Sequence, residues 1–300
     1  MTTISAEVIL DSVSPYGPRL TTMRLRYPRF IHAEFMTHRV FSRNASSSRA
    51  IPVKRLIQDV IDDPMVPRYW GRNQPGMQAG EEWNAVVCRP TKSGGCRNAT
   101  REGTWLYARD RAVEIATDFA VSGYHKQIVN RLLEPFAHIN VLVTATEWDN
   151  FFELRCHTDA EPHIQDLARE MRRVMGASVP RRLEPGEWHL PFTTLDDLMQ
   201  VRLKKLSDEV EEQTMLLAIS AARCARVSYL THDRQTPTLD ADLALFERLV
   251  GSRPLHASPL EHQATPDKFA AGHNFGRGAW VRPEKHGNLV GWVQHRKLRE

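Results

Sequence analysis

The sequence predicts an α/β protein of the α+β kind, and three patterns predict it. Ile139, Val141, Val143 and Ala145 alternate with mostly polar neighbours, the period of a half-buried strand. Directly afterwards Trp148, Phe151, Phe152 and Arg155 fall at i, i+3, i+4 and i+7, which places them on one face of a helix. A third run, Ala160 to Gly176, carries Ile164, Leu167, Ala168, Met171 and Met175 at helical spacing, with Gly176 as its stop.

The remaining elements follow in chain order. A strand at Thr22 to Tyr27 leads to a helix that starts at Phe30 and runs into the polar segment Thr37 to Arg49. From about Ile51 to Ala108 the chain is rich in Pro, Gly and Trp, with PRYWGRNQPGMQAG at its centre and little periodicity. It reads as an insertion or a long functional lid. Gly123 separates two helical patterns, the second of which, His125 to Leu133, ends at Pro135. T-E-W-D from Thr146 suits a capping box ahead of the Trp148 helix. Between Ala177 and Phe192 the run PRRLEPGEWHLPF reads as an irregular connection. One long helical pattern spans Leu195 to about Ala222, and Leu239, Leu243, Leu245, Phe246 and Leu249 give a last amphipathic helix.

Three hundred residues, 41% hydrophobic and 25% charged, suit a single soluble globular domain over 1–300, with 51–108 as its insertion. No apolar stretch approaches membrane-spanning length, and MTTISAEVILDS lacks the progression of a secretory leader, so a cytoplasmic protein with no membrane partner is expected. Net charge +4 is better explained by phosphate sites than by a broad nucleic-acid surface. Cys88, Cys96, Cys156 and Cys224 show no C-x-x-C pairing and suit a reducing compartment. Cys156 lies between Arg155 and His157, yet neighbours on a helix point in different directions, and a structural thiol is the expectation.

The segment THRVFSRNASSSR, Thr37 to Arg49, packs five hydroxyl side chains, an Asn, an imidazole and three guanidinium groups into thirteen residues. Such a segment fills a core poorly. Its serines and backbone N–H groups can face phosphate oxygens, while Arg39, Arg43 and Arg49 supply charge and forked hydrogen bonds. The plainer alternative is a solvated, basic, Ser-rich loop.

The order H-R-x-x-S-x-N-x-x-S-x-R, carried by His38, Arg39, Ser42, Asn44, Ser47 and Arg49, resembles the signature R-H-R-x-x-S-x-N-E-x-S-x-R of the flavin-dependent thymidylate synthases. Thr37 stands in place of the first Arg and Ala45 in place of the Glu. Asn150, Phe151, Leu154 and Arg155, followed by Ala160 and Ile164-Gln165, resemble that family's N-F-x-x-L-R helix and its continuation. Arg131 lies in a matching R-x-x-x-P. Two further units, A-R-V-S-Y at Ala225 to Tyr229 and H-A-S-P-L-E-H at His256 to His262, come last here but first in the common family order. The chain therefore resembles a circular permutant, with the family's N-terminal segment at 218–300. Trp292-Val293-Gln294-His295-Arg296 repeats a fragment of the lead into the signature, and only the N-terminal copy continues into the serines.

The resemblance implies a mixed sheet with packed helices, a homotetramer, FAD as cofactor, and reductive methylation of dUMP to dTMP with methylenetetrahydrofolate and NADPH as co-substrates. Around FAD it implies His38, Arg39, Asn44, Asn150, His256, Ser258 and Glu261. Around the nucleotide it implies Ser47, Ser48, Arg49 and Arg131, with Glu34 where the family often has Gln, and Arg155 as the catalytic group that polarises the pyrimidine. No metal is implied, since H-x-S-x-x-E-H lacks a helical zinc pair. A dUMP or dCMP hydroxymethylase, a noncatalytic nucleotide-binding relative and a nucleic-acid-binding protein are the alternatives. Glu261 and His38 are expected in one pocket, within a chain or across an interface.

Overall fold

The computed structural model describes residues 4–90, 94–204, 208–229, 238–251, 255–270 and 279–300. Strands β1 (Ser5–Val13) and β2 (Arg19–Pro28) form an antiparallel hairpin, its turn closed by Gly17 at φ 115°. A single 3-10 turn and one turn of helix, α1 (His32–Phe35), follow. The helix expected from Phe30 ends there because the Thr37 hydroxyl donates to the Glu34 carbonyl (2.7 Å) and competes with the helical ladder. The signature therefore continues as a turn and a short strand, β3 (Ser42–Ala45).

Among the described residues of the region 51–108 there are a helix, a hairpin and the start of a second helix. Val53, Leu56, Ile57 and Val60 give α2 (Val53–Asp62) an apolar face. A hairpin of β4 (Val87–Pro90) and β5 (Cys96–Ala99) is crosslinked by a Cys88–Cys96 disulfide, so two of the four cysteines are paired where free thiols were expected. Helix α3 (Arg101–Val121) starts at Thr100, whose hydroxyl accepts the Gly103 N–H (3.0 Å), and ends before Gly123. Then α4 (Lys126–Val129) tightens into a 3-10 turn over Asn130–Phe136 that contains Pro135. Helices α2, α3 and α4 and the 3-10 turn share a core around Leu56, Val60, Ala116, Leu133 and Phe136.

Strand β6 (His138–Ala145) pairs with β2 and β3. Helix α5 (Asp149–Arg155) has no side-chain cap. Thr146, expected to cap it, instead accepts the Val290 N–H (3.1 Å), which displaces the predicted capping box. Helix α6 (Pro162–Ala177) is capped by Glu161 and runs through Gly176 rather than stopping at it. Strand β7 (Arg181–Arg182) lies parallel to β1. The central sheet is thus mixed, in the order β3-β6-β2-β1-β7. Two helices, α7 (Leu195–Leu203) and α8 (Glu209–Tyr229), take the place of the single helix expected from Leu195. The junction 205–207 lies outside the described residues. Helix α9 (Leu239–Gly251), strands β8 (Ala264–Pro266), β9 (Phe269–Ala270), β10 (Ala279–Trp280) and β11 (Trp292–Gln294), and α10 (His295–Arg299) complete the described chain, with β8 paired to β11 and β9 to β10. No helix among the described residues is long and apolar enough to cross a membrane.

Both faces of the sheet are covered. Met23, Leu25, Tyr27, Val141 and Val143 pack under α5 and α6. The opposite face, expected to meet water, is buried and polar. Ser12 Oγ meets His189 Nδ1 (2.8 Å), His189 Nε2 meets Thr22 Oγ1 (2.8 Å), Thr22 meets Thr144 (2.6 Å), and Thr144 meets His262 Nδ1 (2.8 Å). Hydrogen bonds replace the water these groups lose. Burial lowers His189 and His262 to about 3 and His295 to about 4. These rings stay neutral in the fold, whereas the unfolded chain takes up protons near pH 6.5. Their stabilising contribution is therefore full above that pH and is lost as the pH falls through the folded values. Denaturant unfolding at stepped pH should show stability falling by about 2 kcal/mol per fully buried histidine by pH 5. A flat profile from pH 7 to 5 contradicts this placement.

Candidate active site

The N-F-F-E-L-R helix and the signature meet. On α5, Trp148, Phe151 and Phe152 are buried against the sheet, which brings Arg155 out of the apolar face and across the start of the signature turn. Its Nε donates to His38 Nε2 (2.9 Å) and its Nη2 to Thr37 Oγ1 (3.2 Å). A guanidinium laid on an apolar surface with its head in water is therefore not what the fold contains. Thr37, one of the two departures from the signature, is an acceptor for Arg155, a part an arginine could not play.

His38 packs edge-on to Phe151 (4.9 Å between centroids) and stacks on Phe41. Burial, then the positive charges of Arg155 and Arg43, lower it to about 4. A neutral ring that accepts at Nε2 carries its proton on Nδ1. His38, Arg39 and Asn150 line a cleft of about 520 Å³, together with Thr37, Glu147 and Asp149. Arg39 is exposed there. Glu147 and Asp149, which form its acidic wall, belong to the T-E-W-D read in the sequence only as a helix cap. Glu34, on α1, has its carboxyl raised by burial and by Glu161, and one of its oxygens is buried without a hydrogen-bond partner.

A second cluster forms on the loop after β3. Ser48 is buried and donates to Glu134 (2.6 Å), and Arg131 reaches the same carboxylate (3.1 Å). Ser47 is half-buried and Arg49 exposed. Asn44 does not face the cleft expected for it. It is buried and donates to the Cys224 carbonyl on α8 (3.2 Å), so its role here is to seat β3 on the A-R-V-S-Y helix.

The relocated H-A-S-P-L-E-H unit packs against the same strand, but its side chains diverge. His256 and Ser258 are exposed, His262 is buried on Thr144, and Glu261 is ion-paired with Arg296 of the C-terminal echo. Burial raises the Glu261 carboxyl against the pull of Arg296. Glu261 does not line the His38 cleft, so one chain does not place the two in a single pocket. Arg43, on β3 between them, acts on the charge of each. The echo is structural in part. Trp292 is fully buried, and Gln294 donates to Ser42 (3.3 Å) and to the Glu261 carbonyl (3.0 Å). Asn288, unmarked by any motif, donates to the Val40 carbonyl (2.8 Å) and meets Ser42. Among the described residues no group of three or more His, Cys, Asp or Glu is placed to hold a metal ion.

A separate cleft of about 540 Å³ lies in the region 51–108, between Trp70, Trp83, Val87, Arg101 and Trp105, away from the signature.

The mixed-sheet α/β fold carries basic, hydroxyl-rich clusters at the exit of its edge strand, groups whose chemistry suits an anion. The chain belongs to the thymidylate synthase complementing protein family, whose model matches residues 19–181. Among solved structures it is similar to the crystal structure of a UMP/dUMP methylase, PolB from Streptomyces cacaoi, bound with 5-Br UMP. The identity is 16%, the match covers 59% of this chain and 90% of that one, and the TM-score is 0.40. No curated protein matches the chain.

Proposed function

We propose that the protein is a flavin-dependent thymidylate synthase that methylates dUMP to dTMP, with methylenetetrahydrofolate as carbon donor and NADPH as reductant, and that it works as a homotetramer. The observation that carries this reading is the Arg155–His38 contact, which joins two family motifs 117 residues apart beside an open cleft.

The residues of that cleft fit part of an FAD. An exposed guanidinium on Arg39 suits a phosphate, Asn150 offers both donor and acceptor, and the neutral His38 keeps an Nδ1–H to give. FAD, when bound, supplies the hydride carrier between NADPH and the one-carbon unit. Ser258, Glu261 and His256 face elsewhere on the chain, and in this reading they complete the cofactor site of a neighbouring subunit. Two of Arg155's hydrogen bonds hold Thr37 and His38, and its other N–H groups remain to grip a pyrimidine edge and stabilise negative charge developing on the ring. Glu34, with a buried oxygen lacking a hydrogen-bond partner, can accept from a ring N–H or an exocyclic amine, so dCMP belongs in the test beside dUMP.

The experiment supplies reduced flavin, methylenetetrahydrofolate and each nucleotide in turn, and identifies the product by mass. A methylated base establishes the synthase, an oxygenated one-carbon product a hydroxymethylase, and no nucleotide-dependent flavin oxidation rejects catalysis. Flavin content gives a separate check. Purified protein should show the visible absorbance of bound FAD. Arg39→Ala should lose most of it, as should Ser258→Ala combined with Glu261→Ala, and unchanged content in both refutes the shared site.

A further inference from the structure

A carboxylate sits where the donors of the second cluster converge. The loop after β3 is firmly held. Ser46 pairs with the backbone of Asn140 through its N–H (2.8 Å) and its hydroxyl (3.1 Å), and the buried Asn130 amide donates to the carbonyls of Ser48 (2.7 Å) and Ile51 (2.9 Å). Against this loop Glu134 turns Oε1 toward three donors, Ser48 Oγ at 2.6 Å, Arg131 Nη1 at 3.1 Å and Arg29 Nη2 at 3.2 Å, and Arg131 Nη1 also reaches Oε2 at 3.4 Å. Two guanidinium groups and a hydroxyl on one oxygen is the arrangement that recognises a phosphate oxygen. Arg49 on the same loop and Lys126, which donates to the Ala50 carbonyl (3.0 Å), add two more cations, so one carboxylate leaves the locality positive. Arg29 is enclosed, its side chain 17% exposed, while that of Arg131 is 56% exposed, so the cluster opens to solvent on the Arg131 side.

We propose that Glu134 is a tethered stand-in for an oxygen of the substrate's phosphate. It keeps Arg29, Arg131 and Ser48 converged, and it yields them when a dianion enters. The physical consequence is selectivity by charge. A phosphate dianion outcompetes a single carboxylate for two guanidiniums, and a monoanion does not. Ala45 leaves the signature without its carboxylate, and Glu134 brings one to the adjoining loop from another element. Only the identity of the anion as a nucleotide rests on the function proposed above.

The test is calorimetric titration of the full chain with inorganic phosphate, acetate and dUMP. Glu134→Gln keeps the acceptor for Ser48 and removes the charge. It should bind phosphate about tenfold more tightly than the native chain and should begin to bind acetate. Glu134→Asp, which retracts the carboxylate, serves should the Gln variant fail to fold, and it should also tighten phosphate. Arg29→Gln should weaken phosphate in either background. Phosphate affinity that is unchanged or weaker in a folded Glu134 variant overturns the proposal, because a carboxylate that merely positions the arginines would give that result. Tighter phosphate without any dUMP binding upholds the stand-in and removes the nucleotide reading. Equal dUMP binding by native and Gln chains, with phosphate unchanged, does the reverse.

Discussion

Replacement of Arg155 by alanine is expected to lower nucleotide-dependent kcat/KM by roughly 100- to 1,000-fold while flavin content falls far less. The size follows from the role proposed for Arg155 as a charged, preorganised donor at the reacting ring, the loss of which is worth on the order of 3–4 kcal/mol. The split between turnover and flavin follows from position. Arg155 touches the cleft only through Thr37 and His38, whereas Arg39 and Asn150 line it independently. Lysine should rescue poorly. An ammonium can replace the charge but cannot reach Thr37, His38 and a ring edge at once, as the planar fork does. Steady-state kinetics with dUMP, alongside absorbance of the bound flavin, decide it. Normal turnover in Arg155→Ala removes the catalytic assignment.

A large effect on stability is expected at Asp242. This carboxylate, 0% exposed on α9, accepts Arg223 Nε (2.8 Å) and Arg226 Nε (2.9 Å) from α8. Arg223 reaches on to Asp197 (2.5 Å) and to the Phe192 carbonyl (2.7 Å), so four charged groups and one backbone oxygen lock α7, α8 and α9 together. Asp242→Ala leaves two largely buried guanidiniums facing a void. Such broken buried networks cost about 3–5 kcal/mol, which for a chain of this size lowers the melting temperature by on the order of 5–10 °C. Asp242→Asn keeps the shape and one acceptor and should lose less. A melting curve for the Ala variant that overlays the native one shows that the network contributes nothing net. Arg226 belongs to the A-R-V-S-Y unit, so one of that unit's most recognisable residues holds the scaffold.

The strands and helices of the matched stretch were legible because their apolar residues repeat at clean periods. Val141 and Val143 marked β6, and Trp148, Phe151 and Phe152 marked α5. The environment of the second sheet face was not legible. Thr144 lies on the polar side of a strand that reads as half-buried, and only the fold reveals that His262 bonds it and that His189 bonds Thr22 where water would otherwise stand. Helix α2 was overlooked although Val53, Leu56, Ile57 and Val60 have helical spacing, because the Pro, Gly and Trp residues that follow dominated the region. In the site, sequence order identified His38, Arg39, Asn150 and Arg155, which do come together. It does not show that the Asn44 amide donates to α8, and it leaves Arg29, Glu134 and Asn288 unmarked, since single polar residues in unpatterned segments carry no local signal. The disulfide was illegible for a related reason: the seven residues between Cys88 and Cys96 close a hairpin only once β4 and β5 have formed.

The anchoring of β3 also sets a timetable for synthesis. Asn44 takes its acceptor 180 residues further along the chain, and Ser42 its partner 246 residues further along. At about 5–20 residues per second on a ribosome, roughly 10–50 s separate the appearance of Ser42 from that of Asn288. During that interval β1, β2 and β6 can already pair, while the short edge strand that carries the signature lacks the side chains that seat it. Closing contacts of such separation is slow in its own right. The nascent chain therefore acquires its framework before the edge that carries the signature, and weakening of the C-terminal strand pair would leave that edge unseated in molecules whose central strands are still paired.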